Sequence, residues 1–259
     1  MESVVAQNRQ YWEALAPHRP GESVEFFRSG GTALNEDELA AVGDVRGRRV
    51  LQLACSVGDE ALSFARLGAD VVAVDLAPTH LATGRAKAEA LGLAVDFREQ
   101  DMMALDPELT GFDLIFISWG GICWVPDVNR WAADLAARLA AGGKLVISEH
   151  HPIWEVLTVT APMRVNGDYF TPARVGTADP LKAPQITREF KTPITSRSFV
   201  WSIGAVVTAV LEAGLTLGSL QEFPAPEMYA DLGEEAGHLP ATYLITALRS
   251  VDRPEARLT

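Results

Sequence analysis

The sequence predicts a single α/β domain built on a mainly parallel β-sheet. From residue 50 onward, short apolar runs alternate with stretches of helical spacing, which is typical of consecutive βαβ units. The chain has 259 residues, and 48% of them are hydrophobic, which is enough to bury one full core. Neither an internal repeat nor a low-complexity tract interrupts this pattern.

The first predicted βαβ unit covers residues 50–75. VLQLA at 50–54 is an apolar strand, the segment 59–67 places Leu62 and Ala65 on one side of a helix, and DVVAVD at 70–75 is a second strand. Because such crossovers are right-handed, we expect the two strands to lie parallel and adjacent.

The alternation continues to the C-terminal part of the chain. FDLIFIS at 112–118 is uninterrupted and apolar, as expected of a strand buried on both faces. The other predicted elements are a helix with Leu81, Ala88 and Leu91, a strand at 94–99, a helix with Trp131, Leu135 and Leu139 closed by Gly142-Gly143, a strand at 144–150, a helix with Ile203, Val206, Val207 and Val210, and strands at 215–223 and 241–248.

We divide this single domain, residues 1–259, into four parts. Residues 1–45 form an N-terminal helical lid, in which Val5, Trp12 and Leu15 make an apolar stripe, and residues 46–152 form the core. Residues 153–198 contain five prolines and form an inserted cap, and residues 199–259 add the last helix and a strand hairpin. The alternative is that the lid and the cap are simple packing layers.

Composition excludes several classes of partner and site. The formal net charge is -12 with no Lys/Arg cluster, so we expect neither nucleic acid nor a membrane surface as a partner. No segment reaches the roughly 18 apolar residues of a membrane span, and we expect a cytoplasmic protein, monomeric or homodimeric. The two cysteines, Cys55 and Cys123, form neither a disulfide framework nor a metal-binding spacing, so no metal is predicted.

Side chains suited to ligand binding follow all five core strands. In an open parallel sheet, ligands bind beyond the carboxyl ends of the strands, so these residues are predicted to lie close together. They are Ala54, Cys55, Ser56 and Gly58 after the first strand, Asp75 and Leu76 after the second, Asp101 and Met102 after the third, Ser118, Trp119 and Trp124 after the fourth, and Glu149, His150 and His151 after the fifth. Taken singly, Asp75 could instead cap a helix and Asp101 could be an ordinary surface acid.

The first loop favours a cofactor that lacks a pyrophosphate. A dinucleotide loop needs GxGxxG, because the pyrophosphate lies against bare backbone. The stretch ACSVG at 54–58 has one glycine, and Asp75 follows at a distance suited to a ribose-binding acid. S-adenosylmethionine carries ribose and adenine without phosphate and therefore fits this loop better than a nicotinamide dinucleotide.

Five stretches, in this order, resemble the motifs of the class I (Rossmann-like) S-adenosylmethionine-dependent methyltransferases: VLQLACSVGD, VVAVD, EQDMMAL, FDLIFISWGGICWVPD and LAAGGKLVISEHHP. The leader NRQYWEALAP and the closing GLTLGSLQEFP resemble a bacterial subgroup that acts on small molecules. The resemblance covers about residues 6–249. It implies a doubly wound seven-stranded sheet of order 3-2-1-4-5-7-6, with the last strand antiparallel.

The resemblance also implies roles for individual residues. Gly58 and the backbone of Ala54, Cys55 and Ser56 border the methionine part of the cofactor, and Asp75 holds the ribose with Leu76 beside the adenine. Asp101 and Met102 contact adenine, and Ser118 and Trp119 lie where cofactor and acceptor meet. Gln52 departs from the family, which commonly has an acid at that position, and so do Ala54 and Ser56, which replace glycines.

The catalytic candidates are fewer and less specific. A strand-end histidine titrates near neutrality, so His151 and His150 are the first candidates for a general base, followed by Glu149 and by Tyr11 from the lid. His18 could also close over the site, and a single packed histidine, or no base at all, remains an alternative. The candidate acceptor-binding residues are Tyr11, Trp119, Trp124, His151, Trp154 and Phe170, with Phe190 nearby in the cap, although core packing would equally explain several of these rings.

The sequence thus predicts a methyltransferase that transfers a methyl group from S-adenosylmethionine to O, N or C of a small aromatic or apolar secondary metabolite, releasing S-adenosylhomocysteine. Three alternatives stay open. The same fold could bind the cofactor and catalyse a reaction such as cyclisation, the chain could be a nicotinamide-dependent oxidoreductase, or it could be a binding module without catalysis.

Overall fold

A seven-stranded β-sheet forms the centre of the protein. The computed structural model describes residues 4–157, 164–165, 168–170, 173–176 and 196–251. The sheet contains β1 (Arg49–Leu53), β2 (Asp70–Asp75), β3 (Asp96–Glu99), β4 (Phe112–Ser118), β5 (Leu139–His150), β8 (Leu215–Phe223) and β9 (Thr242–Arg249), and a separate hairpin pairs β6 (Ala173–Gly176) with β7 (Ser196–Phe199).

The strands run in the order β3-β2-β1-β4-β5-β9-β8, in which β9 is antiparallel to both of its neighbours. Counted without the hairpin, this order is 3-2-1-4-5-7-6, so the predicted fold and the antiparallel last strand are confirmed.

Helices cover both faces of the sheet. They are α1 (Val4–Leu15), α2 (Val24–Arg28), α3 (Glu36–Val42), α4 (Asp59–Arg66), α5 (Pro78–Leu91), α6 (Val128–Arg138), α7 (Pro152–Val156) and α8 (Ile203–Glu212), and Pro226–His238 forms irregular 3-10 turns. Leu51 and Leu53 of β1 face the core shared with α6 and α8, whereas Val50 faces the core shared with α4 and α5. This alternation is the period of two expected of a strand buried on both sides.

One predicted boundary is wrong. Gly142 and Gly143 do not close the helix that contains Trp131, because that helix ends at Arg138 and β5 already begins at Leu139. The two glycines lie instead in a bulge of β5 opposite β4, where Gly142 has a φ of 76°. A side chain at Gly143 would place its Cβ 2.7 Å from the carbonyl oxygen of Phe112, so the close approach of the two strands requires glycine there.

The N-terminal segment lies across α5 and the β6-β7 hairpin. In α1, Asn8 exchanges hydrogen bonds with the backbone of Arg197 in β7, and Glu13 accepts from both the backbone N–H and the hydroxyl of Thr79 at the start of α5. These contacts hold α1 above the carboxyl ends of the strands. Over the residues described, no helix has both the length and the apolar character that crossing a bilayer demands.

Candidate functional site

An open cavity of about 600 Å³ lies at the carboxyl ends of the parallel strands. It is the place where the doubly wound topology predicts a ligand. Its lining comes from the lid, from the loops after β1 to β4 and from the start of α5, and consists of Trp12, Arg19, Ala54, Ser56, Val74, Asp75, Leu76, His80, Gln100, Met102, Ser118, Trp119, Gly120, Gly121 and Trp124.

The loop after β1 takes a sharp path along this cavity. Ala54 and Ser56 have φ values of 48° and 49°, in the left-handed region that residues with side chains rarely adopt. Such conformations persist where the surroundings impose them. Here the N–H of Ser56 donates to Oδ2 of Asp75 at 2.8 Å, and the N–H of Cys55 donates to the carbonyl of Val74. The loop is therefore held against β2.

Gly58 supports the loop from behind and does not line the cavity. Its φ is 77°, and a Cβ at this position would lie 2.5 Å from Cε1 of Phe97. The N–H of Gly58 donates to the carbonyl of Cys55, whose side chain is buried in the core. Both residues thus shape the loop while Ala54 and Ser56 face the cavity.

Asp75 projects into the cavity from the end of β2. Its Oδ1 accepts the N–H of Ala77 and its Oδ2 that of Ser56. Burial raises the pKa of this carboxyl, an effect that the backbone donors oppose. Asp75 does not cap α5, because the N-cap is Ala77 and has no side-chain hydrogen bond. Each carboxylate oxygen keeps capacity for a further donor.

The loop after β4 is fixed by Glu149. The carboxylate of this buried residue accepts the N–H of Gly120 at 2.6 Å and that of Ile122 at 2.7 Å. Burial raises the pKa of Glu149 to about 7, although these backbone donors favour the ionised form. In the same loop Trp119 has a φ of 40°, and its indole N–H donates to Oε1 of Glu38 at 3.0 Å.

Aromatic rings from the lid and from the loop after β4 cover the cavity. The ring of Trp12 lies 5.3 Å from that of Trp124 in an edge-to-face arrangement and 5.8 Å from the imidazole of His80. Tyr11 packs behind Trp12 and Trp124, is buried and does not line the cavity. Burial raises the pKa of Tyr11, which makes its phenol a poor base at neutral pH.

The structure brings most of the predicted cofactor residues together. Ala54, Ser56, Asp75, Leu76, Met102, Ser118 and Trp119 all line the cavity. Asp101 does not, because its Oδ1 accepts the N–H of Met103 in a turn of its own loop, and Gln100 lines the cavity in its place. The binding roles of these residues stay predictions.

The two histidines at the end of β5 point in different directions. His151 is buried away from the cavity, where its Nε2 lies 2.8 Å from Oε1 of Glu222 and its Nδ1 accepts the N–H of Ile153. Because both of its ring nitrogens are engaged, His151 is placed neither to act as a general base nor to contact a methyl acceptor in the cavity. The ring of His150 lies 5.5 Å from that of Trp119, and burial lowers its pKa to about 4.

His150 borders a second, smaller cavity of about 290 Å³, which adjoins the first at Gly120. Its lining also includes Glu149, Cys123, Phe199, Trp201 and Tyr243.

Two further residues that were predicted to bind the methyl acceptor lie apart from both cavities. Trp154 is buried in a small cluster with Tyr229, and its indole N–H donates to the carbonyl of Met228. Phe170 is 85% exposed. Phe190 lies outside the described residues.

Sequence reasoning missed Arg19, His80 and Gln100, which line the cavity, and Glu60, which lies beneath it. Gln100 directly follows β3, so the strand-end rule could have identified it. Arg19 lies in the lid and His80 in the first turn of α5. Neither has a distinguishing spacing in the sequence, and only the fold brings them to the cavity.

Residues 50–143 match the model of a family described as a methyltransferase domain. The demethylmenaquinone methyltransferase of Thermus thermophilus is 41% identical over 107 residues, which are 40% of this chain and 48% of that protein. A ubiquinone biosynthesis O-methyltransferase of Xanthomonas oryzae pv. oryzae is 32% identical over 149 residues, which are 57% of this chain and 59% of that protein. The chain thus spans about half the length of these curated relatives, or slightly more.

Among solved structures, a putative S-adenosylmethionine dependent methyltransferase from Listeria monocytogenes has a TM-score of 0.65 at 16% identity, covering 82% of this chain and 95% of that chain. At this identity the likeness concerns the fold.

Proposed function

We propose that the protein is an S-adenosylmethionine-dependent methyltransferase that acts on a small molecule, since residues 50–143 match the model of a methyltransferase domain, in line with the sequence motifs. One observation carries this proposal. Seven of the ten residues that the motifs assign to the cofactor line a single cavity at the strand ends, which Trp12 of the lid and Trp124 cover.

The residues of the cavity fit the chemical parts of S-adenosylmethionine. Asp75 offers carboxylate oxygens to ribose hydroxyls, while Leu76 and Met102 offer apolar surface to a flat base. The loop from Ala54 to Gly58 has one glycine and a buried thiol, and therefore offers no bare backbone cradle to a pyrophosphate. This donor set supports an S-adenosyl ligand over a dinucleotide.

When bound, S-adenosylmethionine supplies an activated methyl group on a sulfonium. The chain then has to align the acceptor and exclude water, and alignment alone can lower a barrier by roughly 7–11 kcal/mol. Trp12 and Trp124 cover the cavity, and Glu149 fixes Gly120 and Ile122 at the junction of the two cavities. We assign the acceptor to the smaller cavity, whose rings Phe199, Trp201 and Tyr243 suit an aromatic or apolar molecule.

Only weak bases are available in this arrangement to remove a proton from the methyl acceptor. His150 is neutral at pH 7 because burial lowers its pKa to about 4, so it can accept a proton but with little driving force. Both oxygens of Glu149 already accept backbone N–H groups. We therefore propose catalysis mainly by positioning, with His150 as the closest candidate for a proton acceptor.

Calorimetry with S-adenosylmethionine, S-adenosylhomocysteine and NADH tests the cofactor. We expect micromolar binding of the S-adenosyl pair and none of NADH. Asp75→Ala should weaken S-adenosylhomocysteine at least about tenfold, or 1.4 kcal/mol, whereas Asp101→Asn should change it less. NADH binding without S-adenosyl binding would overturn the proposal in favour of an oxidoreductase.

Transfer of an isotopically labelled methyl group tests the reaction. The acceptors to try are small phenols, aromatic amines and quinones, the last because the curated relatives are named for quinone biosynthesis. Labelled product would support methyl transfer. Tight S-adenosyl binding with no label on any acceptor would favour a non-methylating reaction of the same fold.

A further inference from the structure

A buried tyrosine hydroxyl at the smaller cavity has no hydrogen-bond partner among the described residues. It belongs to Tyr243 of β9, whose side chain is 1% exposed and lines that cavity. We propose that Tyr243 determines acceptor specificity, with its hydroxyl donating a hydrogen bond to an oxygen on the ring of the methyl acceptor. This inference rests on the proposed function, because it takes the smaller cavity as the acceptor site, and it adds a substrate class, namely rings that carry a hydroxyl or carbonyl oxygen.

Packing does not explain the hydroxyl of Tyr243. Its ring belongs to the core cluster that also contains Ile245 and Ala247, and a phenylalanine ring would fill that place equally well. Buried polar groups are nearly always paired, because an unpaired group forfeits the hydrogen bonds that it made to water. Burial raises the pKa of Tyr243 well above its usual range, and the charge of Glu149 acts in the same direction. At neutral pH the hydroxyl therefore keeps its proton and can donate it to a ligand.

Other polar side chains of the smaller cavity are already bonded to the backbone. The carboxylate of Glu149 accepts two backbone N–H groups. The thiol of Cys123 donates to the carbonyl of Gly120 at 3.0 Å, and the indole N–H of Trp201 donates to a backbone carbonyl at 2.7 Å. The Tyr243 hydroxyl, in contrast, keeps its full capacity for a ligand.

The size and the walls of the smaller cavity suit a single ring. Its volume of about 290 Å³ is at the lower end of ligand pockets, which span roughly 300–1,000 Å³. The rings of Phe199 and Trp201 are stacked with their centres 6.4 Å apart and form an apolar wall. A flat molecule between such walls needs a polar contact to fix its orientation, and the Tyr243 hydroxyl can supply that contact.

The register of the sheet indicates which end of the acceptor Tyr243 binds. Tyr243 pairs with Glu149 of β5, and β5 separates β9 from β4. The loop after β4 carries Gly120, where the two cavities meet. Neighbouring strands lie about 4.8 Å apart, so β9 is about 10 Å from β4. We therefore place the recognised oxygen at the end of the acceptor that is remote from the junction, whereas the methylated atom faces the junction.

Fluorine NMR titration of three matched ring probes tests the proposal. The probes are para-fluorophenol, which carries a hydroxyl, para-fluoroacetophenone, which carries a carbonyl oxygen, and para-difluorobenzene, which carries neither. Wild type should bind at least one oxygen-bearing probe about tenfold more tightly than para-difluorobenzene. Tyr243→Phe should abolish this preference and leave the affinity for para-difluorobenzene within about twofold of wild type. The probe that loses affinity identifies the recognised oxygen as a hydroxyl or a carbonyl.

Unfolding in urea separates ligand binding from a structural role. Because Tyr243→Phe removes an unpaired buried group, its unfolding midpoint should be no lower than that of wild type. Tyr229→Phe is the matched control, since it removes a buried hydroxyl that donates to the carbonyl of Pro240 at 2.8 Å outside both cavities. This control should lower the unfolding midpoint and leave all three probe affinities unchanged.

Three results would overturn the assignment of Tyr243. They are the absence of any preference for an oxygen-bearing probe in wild type, including a failure to bind any probe, unchanged probe affinities in Tyr243→Phe, and a lower unfolding midpoint of Tyr243→Phe, which would show that the hydroxyl is paired within the protein. The titrations need no cofactor. Failure of the proposed function, seen as absent binding of S-adenosylhomocysteine, is therefore a separate result.

Discussion

Asn8 and Arg197, 189 positions apart, exchange two hydrogen bonds. The Asn8 amide donates to the Arg197 carbonyl at 2.9 Å, and the Arg197 N–H donates to Oδ1 of Asn8 at 2.8 Å. Asn8 is 4% exposed, so both bonds are shielded from water. They join α1, which carries part of the cavity roof, to the hairpin of the cap.

We expect Asn8→Ala to loosen α1. The change leaves a carbonyl and an N–H of Arg197 unpaired, which costs about 2 kcal/mol locally. Amide hydrogen exchange in α1 should accelerate at least about tenfold, and S-adenosylhomocysteine should bind more weakly. Arg9→Ala is the control on the same helix, because its ion pair with Glu99 is exposed and such pairs contribute under about 1 kcal/mol. Equal exchange in the two variants would contradict the role given to Asn8.

Gly58→Ala should destabilise the fold by about 2 kcal/mol or more. The new Cβ would meet the Phe97 ring at 2.5 Å in addition to the left-handed backbone strain. Gly92→Ala separates the two effects, since Gly92 has a φ of 66° and a Cβ added there would meet nothing within 4 Å, so only the strain of about 1 kcal/mol should remain. Urea unfolding measures both, and equal losses would show that the ring contact is unimportant.

Glu149 should make the protein less stable as the pH rises from about 4.5 to 7. In this range the folded state, with a pKa of about 7, keeps a proton that the unfolded chain has lost near its ordinary pKa of 4.5. The free energy of unfolding therefore falls with pH, by at most about 3 kcal/mol from this group. Glu149→Gln should remove that component, so its deficit against wild type should be larger at pH 5 than at pH 8. If the free energies of unfolding of wild type and Glu149→Gln, measured with urea, differ by the same amount at every pH in this range, the raised pKa of Glu149 is ruled out.

His80 should act in the opposite direction. It is 1% exposed, and burial lowers its pKa to about 4 from the usual 6.5. Between pH 6.5 and 4 the unfolded chain binds a proton at this imidazole that the folded protein does not bind. Acidification therefore lowers the free energy of unfolding, by at most about 3 kcal/mol. In His80→Gln the loss between pH 6.5 and 4 should be smaller than in wild type. The exposed His238 provides the control, and equal acid sensitivity of His80→Gln and His238→Gln would contradict this prediction.

The sheet and the positions of its loops could be predicted because they depend on local patterns. Apolar runs such as FDLIFIS define strands, and the strand-end rule then collects Asp75, Met102 and Ser118 without knowledge of the fold. The bulge at Gly142 could not be predicted, because a glycine pair after a helical stripe indicates a helix end equally well.

The candidate site was harder to predict wherever side-chain direction decides. His150 and His151 are neighbours in sequence, but only the packing against Glu222 turns one of them out of the site. Arg19 lies outside every motif and reaches the cavity through the path of the chain after α1. Such long-range placement leaves no periodic signal in the sequence.

The contact between Asn8 and Arg197 uses only backbone atoms on the cap side. Any residue at position 197 except proline, which lacks the N–H, can make both bonds. Substitutions in this part of the cap can therefore accumulate without detaching the lid, provided that Asn8 is kept. The side chains of this hairpin strand are thus free to vary from one relative to the next, while the roof over the strand-end cavity keeps its attachment to the rest of the protein.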